Sequence, residues 1–209
     1  MNRPDLLQGE DLPPKPKQQR SLEKQRRIRA AALFLFEKHG YEKTLIGEIA
    51  AEAGMPVGSF YQHYRSKRQP LVDLMDEFLR ELAAMDIDPK ATANLRAGLH
   101  SLLAKAFSAE RKYFGAYRAW CEAVILHSDL REKDRAILAW TTARLQGAFS
   151  LLQKLPSARR RKDLNALAEI VDGLLWNLLA QAGSVSEKQM LARIDASTDL
   201  IFHALAVDP

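Results

Sequence analysis

From Ser21 onward, apolar positions recur at spacings of three and four. Ile28, Ala31 and Leu35, interleaved with Ala32 and Phe36, mark one face of a helix that Ser21 caps and Gly40 stops. A short helix follows over residues 45–53, with Ile46, Ile49 and Ala53 on one side, and Gly54 breaks it. Pro56 suits the start of a third helix over residues 57–64, because proline lacks the amide hydrogen that a first turn leaves unpaired. Ser66 opens a fourth, with Gln69 at the capping-box position and Pro70 in the tolerant first turn. Leu71, Leu74, Met75, Phe78, Leu79 and Leu82 form its stripe. Helical periods continue over residues 91–108, 111–127, 129–154, 163–182 and 187–206, and no stretch alternates with period two for long. The pattern predicts an all-α fold of about nine helices.

Residues 1–20 break this pattern. Pro13, Pro14 and Pro16 interleave with Lys15 and Lys17, which reads as a flexible, Pro-rich basic arm. The longest apolar run, residues 30–36, is far short of the roughly 18 residues a membrane span needs, and the N-terminus lacks the apolar core of a signal peptide. The expected location is the cytoplasm. Cys121 is the only cysteine, so no intrachain disulfide or cysteine zinc cluster is available. No metal ion or other cofactor is expected. Charge changes the picture more. Residues 1–70 hold 13 Lys/Arg and 8 Asp/Glu, a balance of +5, whereas residues 71–209 hold 18 of each. An anionic partner is expected at the first third of the chain.

Two short helices joined at a glycine, each too short to stand alone, make sense if the first helix packs across both. Phe60 and Tyr64, four apart, then face inward with Ile49 and Ala50. Val57, Ser59 and Gln62 point outward, with Gly58 close to the backbone of whatever is bound. Gln pairs with adenine edges, Ser donates or accepts, and Val touches a thymine methyl. Tyr61, His63 and Lys67 carry groups that reach phosphates, Lys67 from the start of the fourth helix. Lys24, Arg26 and Arg27 read as a solvated basic face that assists electrostatically.

The run AALFLFEKHGYEKTLIGEIAAEAGMPVGSFYQHYRSK, residues 31–67, resembles the N-terminal domain of the TetR family of transcriptional regulators. Gly40, Tyr41, Thr44, Ile49, Ala50, Ala53, Gly54, Gly58, Tyr61, Tyr64 and Lys67 carry the likeness. It implies a homodimer that binds a palindromic operator in double-stranded DNA through residues 21–67. Residues 68–209 would bind a small effector that releases the DNA, with repression the usual mode. It also implies DNA contacts at Tyr61 and Lys67. Leu45 departs from the family's pattern of a second hydroxyl at the second helix's cap, which leaves Thr44 as cap and phosphate contact. Pro56 and Arg68 depart where Ser and Glu are frequent.

In the larger domain, Tyr113, Tyr117 and Trp120 share a helical face, and Phe107, Trp140 and Trp176 add bulk from neighbouring helices. With His100, Arg144 and Asn177 they are candidates to line a mostly apolar effector pocket with a few polar fixing points. Leu164, Leu167, Val171, Leu174 and Leu178 form one stripe and Met190, Ile194, Ile201 and Leu205 another. The family resemblance assigns both to a four-helix dimer interface. The loop PSARRRKD reads as a solvated connection.

An enzyme is disfavoured: there is no His-x-x-x-His metal pair, no phosphate-cradling glycine loop and no nucleophile motif. A helical small-molecule carrier or interaction protein without specific DNA binding is the alternative. The charge split and the outward polar face of the third helix argue against it.

Overall fold

The computed structural model describes residues 2–14, 18–85, 95–154 and 158–206, apart from the side chains of Ala109, Glu110 and Ala182. Within them the chain is all-α, as its periodicity predicts. The helices are α1 (Gln19–Lys43), α2 (Ile46–Glu52), α3 (Val57–Tyr61), α4 (Arg68–Ala83), α5 (Leu95–Leu126), α6 (Ser128–Leu152), α7 (Leu164–Ala180) and α8 (Glu187–Leu205), with a 3-10 turn at Ala182–Ser184. The described residues hold no strand, only one isolated antiparallel bridge between Ala158 and Ala206.

Several expected boundaries move for identifiable reasons. α1 begins at Gln19, so Ser21 lies inside it, and Gly40 kinks the helix at φ 78° before a last turn runs on to Lys43. α3 is one turn shorter than its sequence pattern, because the amides of His63 and Tyr64 both turn back to the Phe60 carbonyl. Gln69 makes no capping box; its Oε1 accepts from the Arg65 amide at 2.7 Å. The two helices expected over residues 91–108 and 111–127 form one continuous α5, since neither glycine nor proline separates them. Residues 91–94 of that expectation, like Lys15, Pro16 and Lys17 of the arm, lie outside the described residues.

The chain divides into two compact units. One joins Asp5–Arg80 to Lys112–Asp134; the other joins Glu81–Arg111 to Arg135–Pro209, with the first four residues. The expected boundary at Lys67 therefore differs from this division. Charge pairing explains part of the difference: Asp73 and Glu77 of α4 both reach Arg29 of α1, at 3.2 and 3.4 Å. The N-terminal segment is likewise packed rather than trailing free. Leu6 is fully buried, and its amide donates to Asp76 Oδ1 at 3.2 Å.

The second unit is centred on Leu99, Leu103, Phe107, Phe149, Leu152, Val171, Ile194, Ile201 and Leu205, with Leu164, Leu167, Leu178 and Met190 packed against them. Of the stripes assigned to a dimer interface, Val171, Ile194, Ile201 and Leu205 are thus buried in this chain's own core, while Leu164, Leu167, Leu178 and Met190 are only partly covered by it. Burying a side chain of this size contributes roughly 1.5–3 kcal/mol, which a partner cannot claim a second time. The apolar side chains that α7 and α8 leave exposed are others: Ile170, Leu191 and Leu200.

Candidate nucleic-acid interface

α2 is only seven residues and α3 five, so tertiary packing must hold them. Ile49, Ala50, Phe60 and Tyr64 are completely buried together with Ile28, Ala32 and Phe36 of α1. Between the two helices the Gly54 amide bonds to Ala51 O at 2.9 Å and the Met55 amide to Ala50 O at 3.0 Å. This is the Schellman pattern, and it requires Gly54 at φ 63°. A side chain at Gly54 would also meet the Arg27 guanidinium, which donates to Ala53 O and, at 3.0 Å, to Gly54 O. Arg27 therefore caps α2 while remaining exposed on the basic face of α1.

Three further polar groups set the angle of α3. Tyr64 donates its hydroxyl to Asp73 Oδ2 at 2.6 Å, and Arg29 reaches the same oxygen at 3.2 Å. Burial and the neighbouring carboxylate push the Tyr64 phenol well above its usual value, so it stays a donor. On the far side of α1, Glu122 of α5 accepts from the Tyr41 amide at 2.7 Å and the Glu42 amide at 3.4 Å. A Cβ at Gly40 would collide with that carboxylate, so this glycine serves both the positive φ and the close approach. Asp73 and Glu122 escaped the sequence reading: each is an ordinary charged residue on a helix, and only its distant partner gives it a role.

With α3 held this way, Val57, Gly58, Tyr61 and Gln62 are exposed and Ser59 is half-buried. Nothing lies within 4 Å of a Cβ built on Gly58, so its face is open. Four of the expected contact residues thus lie on α3, and Gln62 is its C-cap. The other three do not join them. Thr44 is fully buried, and its hydroxyl donates to Gly40 O at 2.7 Å; Leu45 takes the cap position of α2, with its amide bonded to Glu48 at 3.0 Å. His63 is only 5% exposed. Burial, reinforced by Lys24, lowers its pKa and favours the neutral ring.

Lys67 is engaged within the chain. Its ammonium donates to the carbonyls of Tyr41 (2.8 Å), Glu42 (2.8 Å) and Thr44 (3.0 Å) and lies 4.7 Å above the Tyr41 ring. An ammonium has three N–H donors, and three carbonyls consume them. A positive charge where α1 exposes its last carbonyls also matches the helix dipole. In this arrangement Lys67 caps the end of α1, with no donor left for a phosphate. Arg20, Lys24 and Lys43 of α1 remain exposed, as do Arg26, paired with Glu23 at 3.5 Å, and Arg65.

Residues 28–72 match the family described as bacterial regulatory proteins, tetR family. The chain carries a TetR-family helix-turn-helix domain. This TetR-family segment is 39% identical over 57 residues to an uncharacterised HTH-type transcriptional regulator, YerO, of Bacillus subtilis (strain 168). The match covers 27% of this chain and 20% of that protein, so the curated relative is matched over about a fifth of its length. The fold extends further. A transcriptional regulator of the TerR/AcrR family from Aquifex aeolicus VF5 superposes with a TM-score of 0.65 at 17% identity, covering 86% of this chain and 99% of that one. A protein from Saccharomonospora viridis in complex with choline gives 0.66 at 20% identity, covering 90% and 100%. A complex of SmeT with triclosan gives 0.62 at 22% identity, covering 88% and 92%.

The expected effector residues are distributed between the two units. In the first, Tyr113 is buried against Phe78, Tyr117 is half-buried, and Trp120 donates to Asp134 at 2.8 Å. In the second, Phe107 is core and His100 faces Asp195 at 3.2 Å. Arg144 lies over the buried Trp140 and donates to Ala83 O (3.2 Å) and Met85 O (2.8 Å), capping α4. Asn177 is exposed and accepts from Gln181. Trp176 donates to Thr141 at 3.3 Å, and Thr141 and Thr142 both donate at 2.9 Å to buried Asp172. Burial raises the Asp172 pKa against the pull of these neutral donors. Among the described residues no helix is long and apolar enough to cross a membrane, and no His/Cys/Asp/Glu group is placed to hold a metal ion.

Proposed function

We propose that the protein is a transcriptional repressor that binds a palindromic operator as a homodimer and is released by a small, mostly apolar effector. The observation that carries this reading is the exposed row Val57, Gly58, Tyr61 and Gln62 on an α3 whose opposite side is wholly buried. A short helix with a hydroxyl, an amide, a methyl-bearing side chain and an open glycine on its outer face suits a major groove. One such helix reads few base pairs, so two copies are needed. Ile170, Leu191 and Leu200, exposed on α7 and α8, are the surface available for the pairing.

Effector release draws support from the relatives solved with choline and with triclosan. In this chain, the group of Trp176, Thr141, Thr142 and Asp172 offers an aromatic face beside fixed polar atoms. The deciding measurement is fluorescence anisotropy with DNA flanking the protein's own gene and with a scrambled duplex. Sequence-selective binding that weakens steeply with salt, and is reversed by a small, mostly apolar effector, is expected. Equal, weak binding to every duplex would overturn the reading.

A further inference from the structure

Residues 5–12 contain Asp5, Glu10 and Asp11 and no Lys or Arg, within a third of the chain that is otherwise basic. Their packing separates into an anchor and an exposed tip. In the anchor, Leu6 is buried, and Glu10, only 7% exposed, lies 2.8 Å from Arg68 of α4 and 3.4 Å from Lys133 of α6. Lys133 also donates to the carbonyls of Leu6 and Gln8, and Arg68 pairs on its other side with Asp129. At the tip, Gln69 Nε2 holds the Asp11 carbonyl at 2.9 Å. The Asp11 carboxylate lies 2.6 Å from Arg65, with both side chains largely open to water, 76% and 58% exposed.

Arg65 lies three residues beyond Gln62, and its amide is fixed by Gln69 at 2.7 Å. It is therefore an exposed cation next to the proposed reading helix, and it already carries an anion. We propose that Asp11 is an affinity-determining residue: an internal competitor for phosphate, held on Arg65 by the anchored segment, which DNA must displace to engage that arginine. The inference rests on the DNA-binding reading above. The physical division supports it. Exposed ion pairs are weak and screened by salt, so a phosphate can replace the carboxylate. The buried anchor keeps the carboxylate close, so it competes again whenever the phosphate leaves.

The test compares DNA binding of the full chain with Asp11→Asn, Asp5→Asn and Arg65→Gln, and with Asp11→Asn combined with Arg65→Gln, across a salt series. Asp5 is the control, since it lies in the same segment and its substitution removes the same charge, while its side chain accepts from the Leu7 amide and from no cation among the described residues. Asp11→Asn should bind roughly two- to fivefold tighter at low salt, the equivalent of an exposed pair. Its salt dependence should steepen by up to about one counterion. The gain should vanish in the Arg65→Gln background. A gain equal to that of Asp5→Asn, or one that persists without Arg65, would overturn the proposal while leaving DNA binding intact. If no variant and no wild-type protein binds any duplex at low salt, the DNA-binding reading itself fails and this inference with it.

Discussion

Lys67 and Tyr41 are joined twice, by a 2.8 Å hydrogen bond from the ammonium to the Tyr41 carbonyl and by the ring 4.7 Å beneath the charge. With Glu42 O and Thr44 O completing the set, the most recognisable basic residue of the segment serves the fold. Lys67→Met should therefore destabilise the protein by about 1.5–3 kcal/mol, the range for hydrogen bonds to a charged group. It should lower DNA affinity without changing the slope of log affinity against log salt. A phosphate contact would instead reduce that slope by about 0.9. Thermal melts and a salt titration on the same variant separate the two roles.

Gly58 and Phe60 are two residues apart and should respond oppositely. Gly58→Ala meets no neighbour within 4 Å, so its melting temperature should change little, while affinity for the operator falls because the added methyl faces the DNA. Phe60→Ala opens a hole under α3 and should cost about 3–5 kcal/mol of stability. Paired measurements of melting and DNA affinity would refute the proposed face if Gly58→Ala bound as well as wild type.

His63 yields a prediction with a definite sign. Its folded-state pKa is lowered by burial and by Lys24, so the unfolded chain binds the proton more readily. Stability from the neutral ring is present above the unfolded value of about 6.5 and is lost as pH falls through the folded one. Melting temperature should drop between pH 7.5 and pH 5.5 more in wild type than in His63→Gln. Operator affinity should not rise over that interval on account of His63, as it would if a protonated imidazole held a phosphate.

Ile170 and Ile194 distinguish an association surface from a core. Ile170 is 69% exposed on α7, and Ile170→Glu, alone or with Leu200→Glu, should yield a folded monomer by sedimentation at micromolar concentration. Ile194 is buried in the second unit, and Ile194→Ala should cost about 2–5 kcal/mol with no change in mass of the folded species. A dimer that survives both glutamates would exclude this surface.

The helical character of the chain, the turn at Gly54 and the inward set Ile49, Ala50, Phe60 and Tyr64 were all legible as spacing and residue type. Local steric rules govern them: an apolar stripe three or four apart must be buried, and a left-handed residue is best a glycine. The exposed face of α3 followed, because what remains on a short helix after its buried side is removed is nearly determined. The dimer stripes show where this reasoning reverses. Much of the regular apolar repeat on α7 and α8 packs into the chain's own core, while Ile170, Leu191 and Leu200, which that repeat passes over, are the apolar side chains left exposed.

What the sequence by itself determined is which side chains leave water and where the backbone turns, since both depend on residues within a few positions of each other. What only the tertiary structure decided is how each charge is used. Lys67 reads as a phosphate contact, Arg27 as part of a solvated basic face and Arg144 as a polar fixing point of a pocket, yet each donates to backbone carbonyls at least 23 positions away in sequence. Asp11, in a stretch that reads as a basic tail, lies on Arg65. A charged side chain is long, flexible and satisfied by any properly placed acceptor, so its partner is set by the fold that brings distant elements together.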